Sequence, residues 1–140
     1  MKIKMKLFKG GKIPVYKTKG AACADCYACV KEPIIIPIGK RALVPLGFAI
    51  ELPEGYEAVI RPRSGLTSKE IDNGIGTIDC DYRGEVKACV INNTDANFII
   101  NNGDRICQMK IQRAEQFKFE QVESLTETER SDKGFGSTGL

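Results

Sequence analysis

Residues 85–112 read EVKACVINNTDANFIINNGDRICQMKIQ. Apolar and β-branched side chains gather in three runs, 85–92, 97–100 and 105–112, and two polar clusters punctuate them: Asn92-Asn93-Thr94-Asp95 and Asn101-Asn102-Gly103-Asp104. Val and Ile suit a pleated, half-buried surface, whereas Asn, Asp and Gly accept turn conformations. The stretch therefore predicts three strands joined by turns. Working outward, Pro53-Glu54-Gly55 separates a strand at 43–52, with Phe48, Ile50 and Leu52 on one face, from another at 56–62. At the N-terminus Ile3, Met5 and Leu7 alternate with Lys2, Lys4 and Lys6, the period-2 pattern of a strand with one wet face. Ile and Val together outnumber Leu roughly threefold, again favouring strands. All six prolines precede residue 63, which confines them to edges, turns and strand ends. The expectation is an all-β sandwich or barrel with one short helix near 66–72.

At 140 residues the chain suits a single domain with one core. Hydrophobic residues make up 42% and charged residues 28%, with a net charge of +3, which excludes a wholly disordered chain. No apolar run approaches the roughly 20 residues of a membrane span, and the alternating N-terminus holds no signal-peptide core. A cytoplasmic protein is expected, or a nuclear one if the source is a eukaryote or virus, with no membrane association. Six cysteines without a secretory signal read as free thiols. The run Cys23-Ala24-Asp25-Cys26-Tyr27-Ala28-Cys29 lacks the fourth thiolate of an iron–sulfur site, and Cys80, Cys89 and Cys107 fall within expected core strands. The N-terminal lysines have no interleaved aromatics, so no stable nucleic-acid binding is expected. Histidine is absent, which removes every mechanism built on imidazole.

Residues 120–133 carry five acidic and two basic side chains and few apolar ones, and Gly134-Phe135-Gly136-Ser137-Thr138-Gly139 follows. Such a segment cannot offset its own ordering entropy, so the chain divides into a body, 1–119, and a flexible arm, 120–140.

Three places invite chemistry. Pro62-Arg63-Ser64-Gly65-Leu66 leaves a strand at a glycine, which suits either an anion nest with a hydroxyl and a guanidinium or a plain polar turn. In Gly76-Thr77-Ile78-Asp79-Cys80-Asp81-Tyr82-Arg83-Gly84, an extended 77–81 would put Asp79 and Asp81 on one face. Without histidine, a carboxylate is the natural base for water, although two solvent carboxylates paired to Arg83 or Lys87 fit the same pattern. Asp25 is a lone carboxylate among small apolar residues and suits Mg²⁺ that keeps most of its water.

Taken in order, Ala22–Ala28, Pro62–Leu66, Gly76–Gly84, Gly103-Asp104-Arg105-Ile106-Cys107-Gln108 and Arg130–Gly139 resemble the five motifs of the homotrimeric dUTPase family (deoxyuridine 5′-triphosphate nucleotidohydrolase), from about residue 20 to the C-terminus. The resemblance implies a jelly-roll-like β-barrel, a dUTPase-like β-clip, assembled as a homotrimer. Its three active sites would lie between subunits, each closed by a neighbour's C-terminal arm. It also implies dUTP hydrolysis to dUMP and pyrophosphate, which keeps uracil out of DNA and supplies dUMP for thymidylate synthesis.

By the same resemblance Asp79 activates water for attack at the α-phosphorus, and Asp25 holds Mg²⁺ through water. Arg63, Ser64, Gly65 and Gln108 surround the phosphates, and Tyr82 packs under the deoxyribose. A hairpin before Asp79, including Asn73, Gly76 and Ile78, reads uracil. Phe135 stacks on the base, while Arg130, Gly136, Ser137 and Thr138 close over the triphosphate. The competing assignments are a dCTP deaminase-like enzyme on the same fold, which would release ammonia, and a catalytically silent nucleotide-sensing regulator.

Overall fold

The computed structural model describes residues 2–134. Within that range eleven strands and one short helix surround a single core. They are β1 (Lys4–Leu7), β2 (Ala24–Tyr27), β3 (Ile34–Ile36), β4 (Arg41–Pro45), β5 (Phe48–Glu51), β6 (Tyr56–Arg61), α1 (Ser64–Thr67), β7 (Ile71–Asn73), β8 (Gly76–Ile78), β9 (Lys87–Asn92), β10 (Phe98–Ile100) and β11 (Arg105–Arg113). All pairings are antiparallel. A four-stranded sheet runs β2-β11-β6-β8 and a three-stranded one β4-β9-β7, while β1-β5 and β10-β3 form two ribbons. The architecture is jelly-roll-like, made of separate sheets over a shared interior and not one closed ladder. Val44, Leu46, Phe48, Ile60, Ile100 and Ile106 are almost fully buried there. Burial alternates along β9 as period-2 patterning requires.

The 85–112 stretch forms its three strands as expected, and the turn between β9 and β10 is held by a buried asparagine. The Asn92 amide donates to the carbonyls of Ile36 (2.9 Å) and Ala96 (2.7 Å) and accepts from the Thr94 amide and hydroxyl (3.0 and 2.8 Å). Satisfying the whole amide is what makes its burial tolerable.

Other expectations need correction. The apolar run 43–52 is two strands, because Gly47 takes φ +73°. A Cβ there would lie 2.6 Å from the Cys29 sulfur and from Gly11 Cα, so the close crossing requires glycine. β4 and β5 consequently join different sheets. The helix spans 64–67 and not 66–72: Glu70 turns left-handed at φ 61°, and buried Ile71 begins β7 against Asn92. Ile3 and Met5 pack against the core, but Leu7 is exposed.

The extended segment expected at 77–81 ends at Ile78, and the Tyr82 amide donates to the Asp79 carbonyl across a turn (3.1 Å). Asp79 and Asp81 therefore share no strand face, and Cys80 lies in this turn, half-buried, outside any strand. Nor do β7 and β8 pair with each other as a hairpin. They pair with β9 and β6 respectively, so the chain steps from one sheet to another through Gly74-Ile75.

All six cysteines are free thiols. Cys26 and Cys107 face each other across β2 and β11, and the neighbouring Cys107 thiol, then burial, raises the Cys26 thiol far above the ordinary thiol range. It stays protonated at neutral pH, which suits a small core hydrophobe better than a nucleophile. After the last strand, the Ala114 amide donates to the Gly55 carbonyl, and residues 115–133 are exposed without strand or helix. Among the described residues no helix is long and apolar enough to cross a membrane.

Candidate active site

The four-stranded sheet brings together three of the expected segments. Asp25 on β2 faces Gln108 on β11, and Gln108 faces Arg61 on β6, so a single row crosses the sheet. β6 leads directly through Pro62-Arg63 to Ser64 at the start of α1. The Gln108 amide donates to the Pro62 carbonyl (2.7 Å), fixing the turn that presents Ser64. Ser64 and Gly65 are exposed, and their N–H groups, at the first turn of a helix, have no intrahelical acceptor. The arrangement offers two N–H groups, a hydroxyl and part of an amide to an anion.

Arg63 holds this corner together. Its Nε lies 3.4 Å from Asp25 Oδ1, and one terminal nitrogen donates to the Arg105 carbonyl (2.8 Å). Arg105 in turn donates to Asp25 Oδ2 (3.1 Å). The Asp25 side chain, only 13% exposed, is thus gripped by two guanidiniums. The Arg105 contact has no local signal in the sequence, because the partners are 80 positions apart. Among the described residues no three His, Cys, Asp or Glu side chains converge as a metal cage. With two cations already on its oxygens, Asp25 suits a water-mediated contact to an ion carried by a polyanion, and not direct ligation.

Asp79 lies elsewhere. Ile78 faces Ala58 on β6, so Asp79 follows beside Glu57, four residues from Arg61. Strand geometry puts it about 16 Å from Gln108 and about 19 Å from Asp25 between Cα atoms. It is exposed and opens onto a cleft of about 830 Å³ lined also by Glu54, Glu57, Asp81, Glu115 and Arg113. None of Asp25, Arg63, Ser64 or Gln108 lines that cleft. A cleft with five carboxylates and one guanidinium repels anions, whereas the Ser64 corner presents free N–H donors and a hydroxyl.

Tyr82 accompanies Asp79. Its hydroxyl donates to the Glu85 carbonyl (3.1 Å), and its ring lies over Gly84, where an added Cβ would collide with the Tyr82 hydroxyl. Arg83 ties the turn by donating to the carbonyls of Cys80 (2.6 Å) and Tyr82 (3.0 Å). β8, carrying Gly76 and Ile78, is an edge strand, so one side of its backbone is free of sheet partners. Gly76 has only Ile60 near its missing Cβ, at 3.7 Å, and Ile78 is buried.

Asn73 is buried, and among the described residues neither polar atom of its amide has a partner. Such a group costs free energy until something bonds to it. Arg130 is exposed and donates to the Lys133 carbonyl (3.0 Å). Phe135, Gly136, Ser137 and Thr138 lie outside the described residues.

Comparison with known proteins shows the family of the chain. The dUTPase family model matches residues 9–139. The deoxyuridine 5′-triphosphate nucleotidohydrolase of Finegoldia magna is 45% identical, covering 99% of both chains. That of Orientia tsutsugamushi is 49% identical, covering 100% of this chain and 99% of its own. The Staphylococcus bacteriophage 80alpha dUTPase, solved with dUPNHPP, matches with a TM-score of 0.91 at 25% identity over 99% of each chain. By fold, by motif order and by full-length similarity, the chain belongs to the dUTPase family.

Proposed function

We propose that this chain hydrolyses dUTP to dUMP and pyrophosphate in a homotrimer whose sites each combine Asp79 and Tyr82 of one copy with the Ser64 corner of another. One observation carries the reading: the carboxylate cleft that holds Asp79 and the anion-binding corner at Ser64 share no lining residue within one chain, so they meet most simply between copies. Closed symmetry makes such a shared site repeat identically in every subunit. The likeness to the phage enzyme solved with dUPNHPP supports the substrate class.

In the assembled site, Asp79 takes a proton from water as it attacks in line at the α-phosphorus. Ser64, Gly65 and Gln108 donate toward the phosphate oxygens, positioning and stabilising charge, which is most of what phosphoryl transfer needs. Arg63 acts mainly by holding Asp25 and the Arg105 backbone in place. When Mg²⁺ is bound it neutralises phosphate charge, with Asp25 holding its water. The open edge of β8 offers N–H and C=O groups to the uracil edge, and the unpartnered amide of Asn73 is assigned beside it. Cytosine presents the opposite donor and acceptor there and leaves buried groups unpaired. Arm residues 120–140, with Arg130, Phe135, Gly136, Ser137 and Thr138, close the site and exclude bulk water. The substrate is an intracellular nucleotide, in keeping with a cytoplasmic protein.

The direct test is pyrophosphate release from dUTP, dTTP, dCTP and UTP in parallel, with and without Mg²⁺. Rapid release from dUTP alone, stimulated by Mg²⁺, is expected; ammonia release from dCTP, or binding of dUTP without turnover, overturns the reading.

A separate variant probes sugar choice. Gly84→Ala displaces the Tyr82 ring from its seat, so the preference for dUTP over UTP should fall by about tenfold or more, in the range that pocket shape supplies. Ratios of kcat/KM for the two nucleotides measure it, and an unchanged ratio removes Gly84 from that role.

A further inference from the structure

We propose that Lys12 and Lys17, drawn onto the ring of Tyr27, form a further subsite for the distal phosphates of a polyphosphate. Its ligands would be the β- and γ-phosphates of an arriving nucleoside triphosphate or free pyrophosphate on its way out. The proposal rests on the reading of the Ser64 corner as the phosphate end of the site.

The observations begin on β2. Ala24, Cys26 and Ala28 are buried, so Asp25 and Tyr27 project together from the opposite face. Tyr27 faces Arg105 across the sheet, and Asp25 faces Gln108. The anion corner therefore continues one step along β2 to the tyrosine. On the far edge of β2, Val15 and Asp25 exchange backbone hydrogen bonds (3.1 and 2.9 Å), which lays residues 12–17 alongside. From that segment Lys12 Nζ lies 5.3 Å and Lys17 Nζ 5.6 Å from the Tyr27 ring centroid. Lys12 Nζ also comes close to the bare backbone of Gly103, 3.2 Å from where a Cβ would stand. A ring quadrupole holds such cations, though weakly at an exposed site.

Charge decides what the cluster is for. Arg63 and Arg105 share one carboxylate, Asp25, and among the described residues neither Lys12 nor Lys17 has an ion pair. Four cations against two carboxylates, Asp25 and the Asp104 that stands between Gly103 and Arg105, leave a local excess of two positive charges. Like charges held at one ring repel each other until an anion arrives. Phosphates fit better than a nucleic-acid strand, since strand binding needs bare aromatic faces for bases, and ammonium groups occupy this one.

The experiment is steady-state kinetics and pyrophosphate calorimetry on the full-length protein and a Lys12→Gln/Lys17→Gln double variant. Two exposed charge contacts should raise KM for dUTP roughly three- to tenfold with kcat little changed. The affinity for inorganic pyrophosphate should fall in parallel, and inhibition by dUMP, which has no distal phosphates, should stay as it was. Tyr27→Leu, which keeps both lysines but removes the ring, should shift KM the same way. Both lysines are exposed, so thermal unfolding should not move; the two single variants cover a double variant that fails to fold. A folded double variant with unchanged KM and pyrophosphate affinity overturns the proposal, and so does an equal weakening of dUMP. Calorimetry with pyrophosphate reads the cluster even if the wild-type chain hydrolyses no dUTP, so the two failures are distinguishable.

Discussion

Asp79→Asn should lower kcat for dUTP by at least about a hundredfold while leaving nucleotide affinity nearly intact, the loss expected when a general base is removed. The substitution is nearly isosteric, and Asp79 is exposed beside a turn whose hydrogen bonds come from the backbone and Arg83, so the fold has no stake in its charge. The chain contains no histidine that could assume the role. The other carboxylates of its cleft, Glu54, Glu57, Asp81 and Glu115, project from other positions. Single-turnover assays give the chemical step, and calorimetry with a non-hydrolysable dUTP analogue gives binding. A variant that keeps wild-type turnover removes Asp79 as the base. One that loses binding and turnover equally assigns it to substrate recognition instead.

Mixing two dead proteins should produce a live one. Asp79→Asn lacks the base, and Ser64→Ala combined with Gln108→Ala lacks phosphate donors; each homotrimer alone should be nearly inactive. In co-expressed mixtures, half the copies contribute an intact base and half an intact corner. With random assembly into closed symmetric trimers, about a quarter of the sites then hold both. Activity should recover to about that fraction of wild type, far above either parent. A site contained in one chain gives no recovery at all, because every copy carries a lesion. The outcome distinguishes the two geometries without knowledge of the interface.

The sequence carried the strands of 85–112 well because two signals coincide there, alternating burial and turn-forming Asn, Asp and Gly. It did not carry the break at Gly47. The run from Leu43 to Ile50 has no polar side chain to mark a turn, and the approach of Cys29 and Gly11 requires the left-handed glycine between its two strands. Nor could local periodicity decide between helix and strand at Ile71, where pairing with Asn92 prevails over the helix-forming Lys69 and Glu70 before it. The chemistry-bearing residue types were legible as motifs, but their distribution was not. Order along a chain says nothing about which end of β6 each motif reaches. The Arg63–Asp25–Arg105 grip joins positions far apart in sequence and emerges only when β2 and β11 are side by side, while the lysine pair reaches Tyr27 only because Val15 bridges to Asp25 on the other edge of β2.

The unpaired rim of β8 also bears on how the chain behaves in company. Backbone groups left open along Gly76, Thr77 and Ile78 are as ready to hydrogen-bond a foreign strand as a small planar ring. Short length and the flanking charges of Asp79 and Asp81 blunt that hazard without abolishing it. Under the proposed reading of the uracil edge, solubility at high concentration and the capacity to distinguish one pyrimidine from another draw on the same three residues, and a mutation that shields the rim to curb clumping would blind it as well.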